Sequence, residues 1–178
     1  GDVYKRQAYN PAVAHVQPVR KALGIPTIFN TLGPLLSPGR PSLQVMGIAN
    51  PAQGQLIAEV FRELGRERAL VIHGAGTDEI ATHGTTQAWE LNDGEIVTYE
   101  LTPEDLGIKR HELTDLTGGD GAANARALRA VFAGRGEPAH CDAIAATAGA
   151  MFYLNGTKET IAAGGTHAKE LILSLIHI

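Results

Sequence analysis

The stretch Leu43 to His73, LQVMGIANPAQGQLIAEVFRELGRERALVIH, decides the fold. Leu43 to Ala49 is a short apolar run and reads as a buried strand. Asn50-Pro51 follows. An Asn side chain can accept from freed backbone N–H groups, and proline is tolerated in the first helical turn, so the pair opens a helix. Leu56, Ile57, Val60, Phe61 and Leu64 recur at near-helical spacing, and Gly65 stops the run. Ala69 to His73 is a second apolar strand. Strand, helix and strand at this spacing predict a parallel βαβ unit.

Downstream, Ala88 to Leu91 and Glu95 to Leu101 flank Asn92-Asp93-Gly94. This is a hairpin signal, compatible with a tight, three-residue or bulged turn. Thr102-Pro103-Glu104-Asp105 begins a short helical turn. Asp120 caps a helix carrying Ala127, Leu128, Val131 and Phe132. Cys141 to Leu154 is Ala-rich and apolar nearly all round, which predicts a buried helix. Thr157 to Ile172 reads as a last helix. Upstream, Asn10-Pro11 opens a helix with Val13, Val16 and Leu23, kinked at Pro18 and stopped at Gly24. The apolar stretch Ile25 to Leu36 is closed by Gly33-Pro34, read as a structural turn or a close backbone approach. The expectation is one α/β unit: a mostly parallel sheet with a hairpin, flanked by helices.

Composition narrows the function classes. The 178 residues are 44% hydrophobic and 19% charged, which fits one globular domain and excludes a disordered or fibrous chain. No apolar run reaches the ~18 residues of a membrane span. The single cysteine, Cys141, excludes an internal disulfide and fits a reducing, cytoplasmic setting. A net charge of -4 argues against a dedicated nucleic-acid surface.

The two ends read as one duplex. Asp2 to Gln7 (DVYKRQ) can be encoded by GAT GTG TAT AAG AGA CAG. Its reverse complement, CTG TCT CTT ATA CAC ATC, translates as LSLIHI, which is Leu173 to Ile178. The DNA resembles a transposase adapter used in sequencing libraries. Residues 1–7 and 173–178 are therefore expected to be adapter artefacts, with the α/β domain spanning 8–172. No initiator Met precedes them, so an internal piece of a longer protein is expected. Sequencing through both flanks tests this: native codons continuing past Asp2 and Ile178 would contradict it.

Several residues can carry chemistry. Gly74-Ala75-Gly76-Thr77-Asp78-Glu79 begins like a dinucleotide loop, but Glu79 stands at the third glycine position, where its charge would repel a pyrophosphate. Adjacent Asp78 and Glu79 suit Mg²⁺, which takes one or two carboxylates plus substrate phosphates. Their spacing alone favours a solvated acidic loop. Arg20 offers a planar fork for a carboxylate or phosphate, or is a helix-surface cation like Lys21. His73, ending a strand beside the acidic loop, reads as a structural histidine. His15, His83, His111 and His140 lack metal-ligand spacing, so no zinc site is expected. Gly118-Gly119-Asp120 lacks the residues of a phosphate loop and reads as a helix cap. Cys141 reads as a small buried apolar side chain.

Larger segments carry a resemblance. Asn10-Pro11-Ala12 and HVQPVRKALGIPTIFNTLGPLLSPG (His15 to Gly39) resemble the anthranilate phosphoribosyltransferase family of tryptophan biosynthesis. So do ALVIHGAGTDEI (Ala69 to Ile80), ELNDGEIVTYELTPEDLGI (Glu90 to Ile108) and LTGGDGAANARALRAVF (Leu116 to Phe132). The resemblance implies a partial phosphoribosyltransferase-type α/β domain of glycosyltransferase family 3, without the family's N-terminal helical domain. It implies transfer of phosphoribosyl from 5-phosphoribosyl 1-pyrophosphate to the amine of anthranilate, releasing pyrophosphate. It further implies that Arg20 grips the anthranilate carboxylate, that Asn10 and Gly33-Pro34 lie along the anthranilate channel, and that Asp78 and Glu79 bind a Mg²⁺ bridging to the diphosphate. A homodimeric parent enzyme is implied too. The family usually has His at the position of Asn10; Asn keeps the helix cap but lacks the imidazole. The family's glycine-rich phosphate loop and its Lys, Asn and Ser ligands have no counterpart here, so the 178-residue chain alone is expected to be inactive. Two alternatives are a pyrimidine nucleoside phosphorylase and a non-catalytic, nucleic-acid-binding relative. The acidic net charge and the intact Asp78-Glu79 pair count against the second.

Overall fold

The computed structural model describes residues 18–19, 22–24, 28–37 and 39–174. The chain divides into two compact units, Gly1–Pro41 and Ser42–Ile178. In the first, Pro18, Val19, Ala22 and Leu23 are helical. Gly24 follows at φ 63°, the left-handed conformation that stops a helix. Helix α1, Ile28–Leu35, carries Pro34 inside it. Gly33-Pro34 is thus the last turn of a helix rather than a turn closing an apolar stretch. Proline's fixed φ is itself helical, so near a helix end it removes one donor without breaking the run.

The second unit holds the sheet. Its order is β1 (Leu43–Gly47), α2 (Gly54–Glu63), β2 (Arg68–Gly74), β3 (Thr86–Asn92), β4 (Glu95–Leu101), α3 (Gly121–Phe132), α4 (Pro138–Leu154) and α5 (Ile161–Ser174). Short 3-10 turns lie at Pro51–Gln53 and Leu113–Leu116. The strands are ordered β1-β2-β3-β4. β1 and β2 pair in parallel, with Val45 beside Leu70, as the βαβ reading requires. The Asn50 side chain accepts from the Ala52 N–H at 3.1 Å, but it caps the 3-10 turn Pro51–Gln53 that leads into α2; α2 itself starts at Gly54 without a side-chain cap.

The α/β class stands, but the sheet is mixed rather than mostly parallel. β2–β3 and β3–β4 are both antiparallel. The reason is the connection. A parallel neighbour needs a crossover of a dozen or more residues, supplied between β1 and β2 by α2. The links after β2 (75–85) and β3 (93–94) contain no helix to cross the sheet and return the chain antiparallel. The β3–β4 turn is tight: Asn92 pairs with Glu95, and Asp93 and Gly94 take φ 49° and 82°. Two positive φ angles in a two-residue loop match the twist of a hairpin, which is why Asp-Gly stands there.

The core lies between the sheet and α4. Leu70, Ile72, Ala88, Leu106, Ala146 and Ile161 are among its buried members. On α2, burial follows Gly54, Ile57, Ala58 and Phe61. Leu56 and Leu64, assigned to the same face from spacing, are exposed. The α4 helix is not buried all round. It buries Ala139, Asp142, Ala145, Ala146, Gly149, Ala150 and Leu154, while Met151 on another face is 56% exposed. A Cβ at Gly164 would strike the Gly149 backbone, so α4 and α5 touch main chain to main chain.

Buried polar groups tie the layers together. Asp142 on α4 accepts from Lys169 Nζ of α5 at 2.6 Å. It also meets His111 Nε2 at 2.8 Å. Burial alone would raise the Asp142 pKa. The hydrogen bonds from His111 and Lys169 outweigh it, and the carboxyl sits below its ordinary value of 3.8. A carboxylate with a lowered folded pKa stabilises the fold above its unfolded value and loses that contribution as pH falls through the folded one. Asp142→Ala is expected to cost about 3 kcal/mol at neutral pH, because Lys169 and His111 lose their buried partner. Urea unfolding of this variant and of the unsubstituted chain should converge as the pH drops below about 3.8.

Candidate functional site

The acidic pair lies just past the carboxyl end of β2, beside the carboxyl end of its parallel neighbour β1. In open α/β sheets ligands bind outside these strand ends. The loop is built from local rules. Gly74 N–H donates to Thr77 O at 3.0 Å, and Thr77 N–H returns a bond to Gly74 O at 2.9 Å. Between them Ala75 and Gly76 take φ 45° and 91°, a left-handed two-residue turn. Asp78 and Glu79 follow it and are both exposed. Ile80, Ala81 and Thr82 then return to the interior, where the Ala81 N–H donates to Thr86 Oγ1 at 2.9 Å.

Glycines make this return possible. A Cβ at Gly47, the last residue of β1, would fall on the Asp78 carbonyl oxygen. One at Gly74 would fall on the Glu79 carbonyl oxygen. The backbone of the acidic pair is therefore laid directly over the ends of β1 and β2. His73 fastens the same edge: its Nδ1 meets Ile48 O at 2.9 Å, just past β1. That is the structural role its position suggested. From the far side, Ala75 N–H donates to Thr85 O at 3.0 Å, and His83 Nε2 meets Ala75 O at 3.2 Å.

Electrostatics favour a cation here. Partial desolvation, then the charge of Asp78, push the Glu79 carboxyl above its ordinary value of 4.5. Two repelling carboxylates on one loop gain most from a hard divalent ion. Among the described residues no group of three or more His, Cys, Asp or Glu could hold a metal. The pair fits magnesium only in the mode where one or two carboxylates share the ion with phosphate oxygens and water.

The other anticipated site residues divide. Gly33 and Pro34 are half-buried in α1 of the first unit. Arg20 and Asn10 lie outside the described residues. Gly47 and Thr77 went unnoticed in the sequence. An isolated glycine in a strand pattern signals close backbone approach, and that sign was available at Gly47.

Comparison with known proteins gives the chain a family. The model of the glycosyl transferase family, a/b domain, matches residues 3–174. An anthranilate phosphoribosyltransferase of Corynebacterium aurimucosum is 78% identical over 165 residues, covering 93% of this chain and 48% of that protein. One from Corynebacterium efficiens is 66% identical over 166 residues, with the same two coverages. The crystal structure of anthranilate phosphoribosyltransferase from Thermus thermophilus superposes with a TM-score of 0.84 at 37% identity. It covers 94% of this chain and 51% of that one. The Saccharomyces cerevisiae enzyme in complex with PRPP and Mg gives 0.82 at 29% identity, covering 92% and 47%. The chain spans about half the length of the curated relatives it matches. With its described strands and helices inside the matched range, the chain belongs to the glycosyl transferase family as its a/b domain.

Proposed function

We propose that this chain is the α/β part of an anthranilate phosphoribosyltransferase. The whole enzyme would join the amine of anthranilate to C1 of 5-phosphoribosyl 1-pyrophosphate and release pyrophosphate, in tryptophan biosynthesis. The observation carrying this reading is the 78% identity over 93% of the chain to a relative of that name. Nothing in the comparisons favours the nucleoside phosphorylase or the nucleic-acid-binding alternative.

Within that reaction, Asp78 and Glu79 would hold Mg²⁺. When bound, the ion neutralises charge on the leaving pyrophosphate. Arg20 takes the anthranilate carboxylate with a bidentate grip, and Asn10 with Gly33-Pro34 lines the approach of the aromatic ring. The C1–N bond forms as the C1–O bond to diphosphate breaks, and the amine proton passes to solvent. An arylamine is neutral at pH 7, so orientation contributes more than a strong base. The enzyme works as a cytoplasmic homodimer. No described helix is long and apolar enough to cross a membrane.

The test is anthranilate consumption with pyrophosphate release. The whole protein is expected to turn over with anthranilate, 5-phosphoribosyl 1-pyrophosphate and Mg²⁺. The 178-residue chain, which spans about half the length of the curated relatives it matches, is expected not to. Turnover of thymidine with phosphate, and none of anthranilate, would overturn the reading.

A further inference from the structure

We propose that Thr77 is a positioning residue for the acidic pair, its hydroxyl latching the turn that sets where Asp78 and Glu79 stand. The inference rests on the reading of that pair as a metal site and adds to it a residue with no charge of its own. Thr77 Oγ1 donates to Gly74 O at 2.8 Å. The same oxygen accepts from the Glu79 N–H at 3.4 Å. One hydroxyl thus bridges the end of β2 to the backbone of the second carboxylate residue.

The turn needs such a latch. Ala75 sits at φ 45°, a left-handed conformation that an L-residue adopts only against strain, so the Gly74–Thr77 closure works against local strain. The backbone contacts already described clamp the turn from outside: Asp78 over Gly47, Glu79 over Gly74, Ala75 on Thr85. None of these reaches the Glu79 N–H. Among the described residues the hydrogen bond to that group comes from Thr77. Threonine's β-branch also restricts its χ1, which keeps the hydroxyl over the turn where a more mobile side chain would wander. Two carboxylates on adjacent residues bind one ion only if their shared backbone is held in a single conformation, so the latch acts on the ion through Asp78 and Glu79.

The experiment is a Mn²⁺ titration of the 178-residue chain with pyrophosphate present to share the ion, read as paramagnetic broadening of backbone amide signals. Amide exchange at Glu79 is followed in parallel. The unsubstituted chain should broaden at Asp78 and Glu79. Thr77→Val keeps the shape and removes the hydroxyl. It should weaken the Mn²⁺ response about fivefold and speed Glu79 exchange, as the loss of one hydrogen bond implies. Thr77→Ser should restore both. Thr77→Ala is a second hydroxyl-free variant, with the β2–β3 ladder amides reporting that each variant folds. Equal Mn²⁺ response in Thr77→Val and the unsubstituted chain overturns the positioning role and leaves the metal reading intact. Absence of broadening at Asp78 and Glu79 in the unsubstituted chain overturns the metal reading and this inference with it.

Discussion

Gly47→Ala in the whole protein is expected to lower kcat/KM for anthranilate about 10²-fold, the loss that a misplacement of roughly 1 Å produces. The added methyl would occupy the position of the Asp78 carbonyl oxygen. Backbone cannot rotate out of the way as a flexible side chain can, so the acidic loop must lift from the end of β1. The sheet beneath has little reason to move. Gly47 is the last residue of β1 and pairs with Ile72 of β2, and both strands continue into buried core. Overpacking of this kind costs about 1–3 kcal/mol, which the fold can survive. The variant should therefore remain folded by circular dichroism while its Mg²⁺ requirement rises. Unchanged kinetics would mean that the loop's seat on Gly47 does not fix the acidic pair.

The second large effect concerns stability. Glu90→Ala is expected to cost about 3–5 kcal/mol, because it removes one member of a buried ion pair. Glu90 is only 4% exposed, on the inner part of β3. Its Oε1 accepts from Arg68 Nη2 at 3.2 Å and from the Tyr153 hydroxyl at 2.9 Å. Its Oε2 accepts from the Tyr99 hydroxyl at 2.7 Å. Burial, then the bond to Glu90, push the Tyr99 hydroxyl above its ordinary pKa, so it stays a donor. Arg68 in turn donates to the Tyr153 and Leu154 carbonyls at the end of α4 and lies 4.8 Å over the Tyr153 ring. One carboxylate thus joins β2, β3, β4 and the end of α4. Its loss leaves the half-buried Arg68 with only the two α4 carbonyls and takes the acceptor from two half-buried hydroxyls. Thermal unfolding should fall by about 10 °C for a chain of this length. Glu90→Gln keeps acceptor and shape and should lose less. Equal stability of all three proteins would contradict the network's role.

Local signals in the sequence carried most of the fold. The apolar runs, the Asn50-Pro51 cap and the Asp93-Gly94 turn are decided by residues a few positions apart, and each was legible. The mixed sheet was less so, because strand direction after β2 depends on a return without a helix rather than on side-chain pattern. Leu56 and Leu64 show the limit of helical spacing: apolar residues mark a face, but tertiary neighbours decide which of them is covered. At the site, Asp78 and Glu79 stood out as a pair while the residues that seat them did not. Gly47 precedes them by thirty-odd positions, and only the folded chain brings its α-carbon under the Asp78 carbonyl. Thr77 is adjacent in sequence, yet its hydroxyl gains meaning from the turn geometry at Ala75 and Gly76.

The most direct test of the central claim is the Mg²⁺ dependence of anthranilate consumption by the whole protein, compared with its Asp78→Asn, Glu79→Gln double variant. The account predicts saturable Mg²⁺ activation in the unsubstituted enzyme. In the double variant it predicts activity reduced at least about 10²-fold and a shift to higher Mg²⁺, the size expected when a preorganised charge stabiliser is removed. An unaltered Mg²⁺ curve with full turnover in the double variant would contradict it.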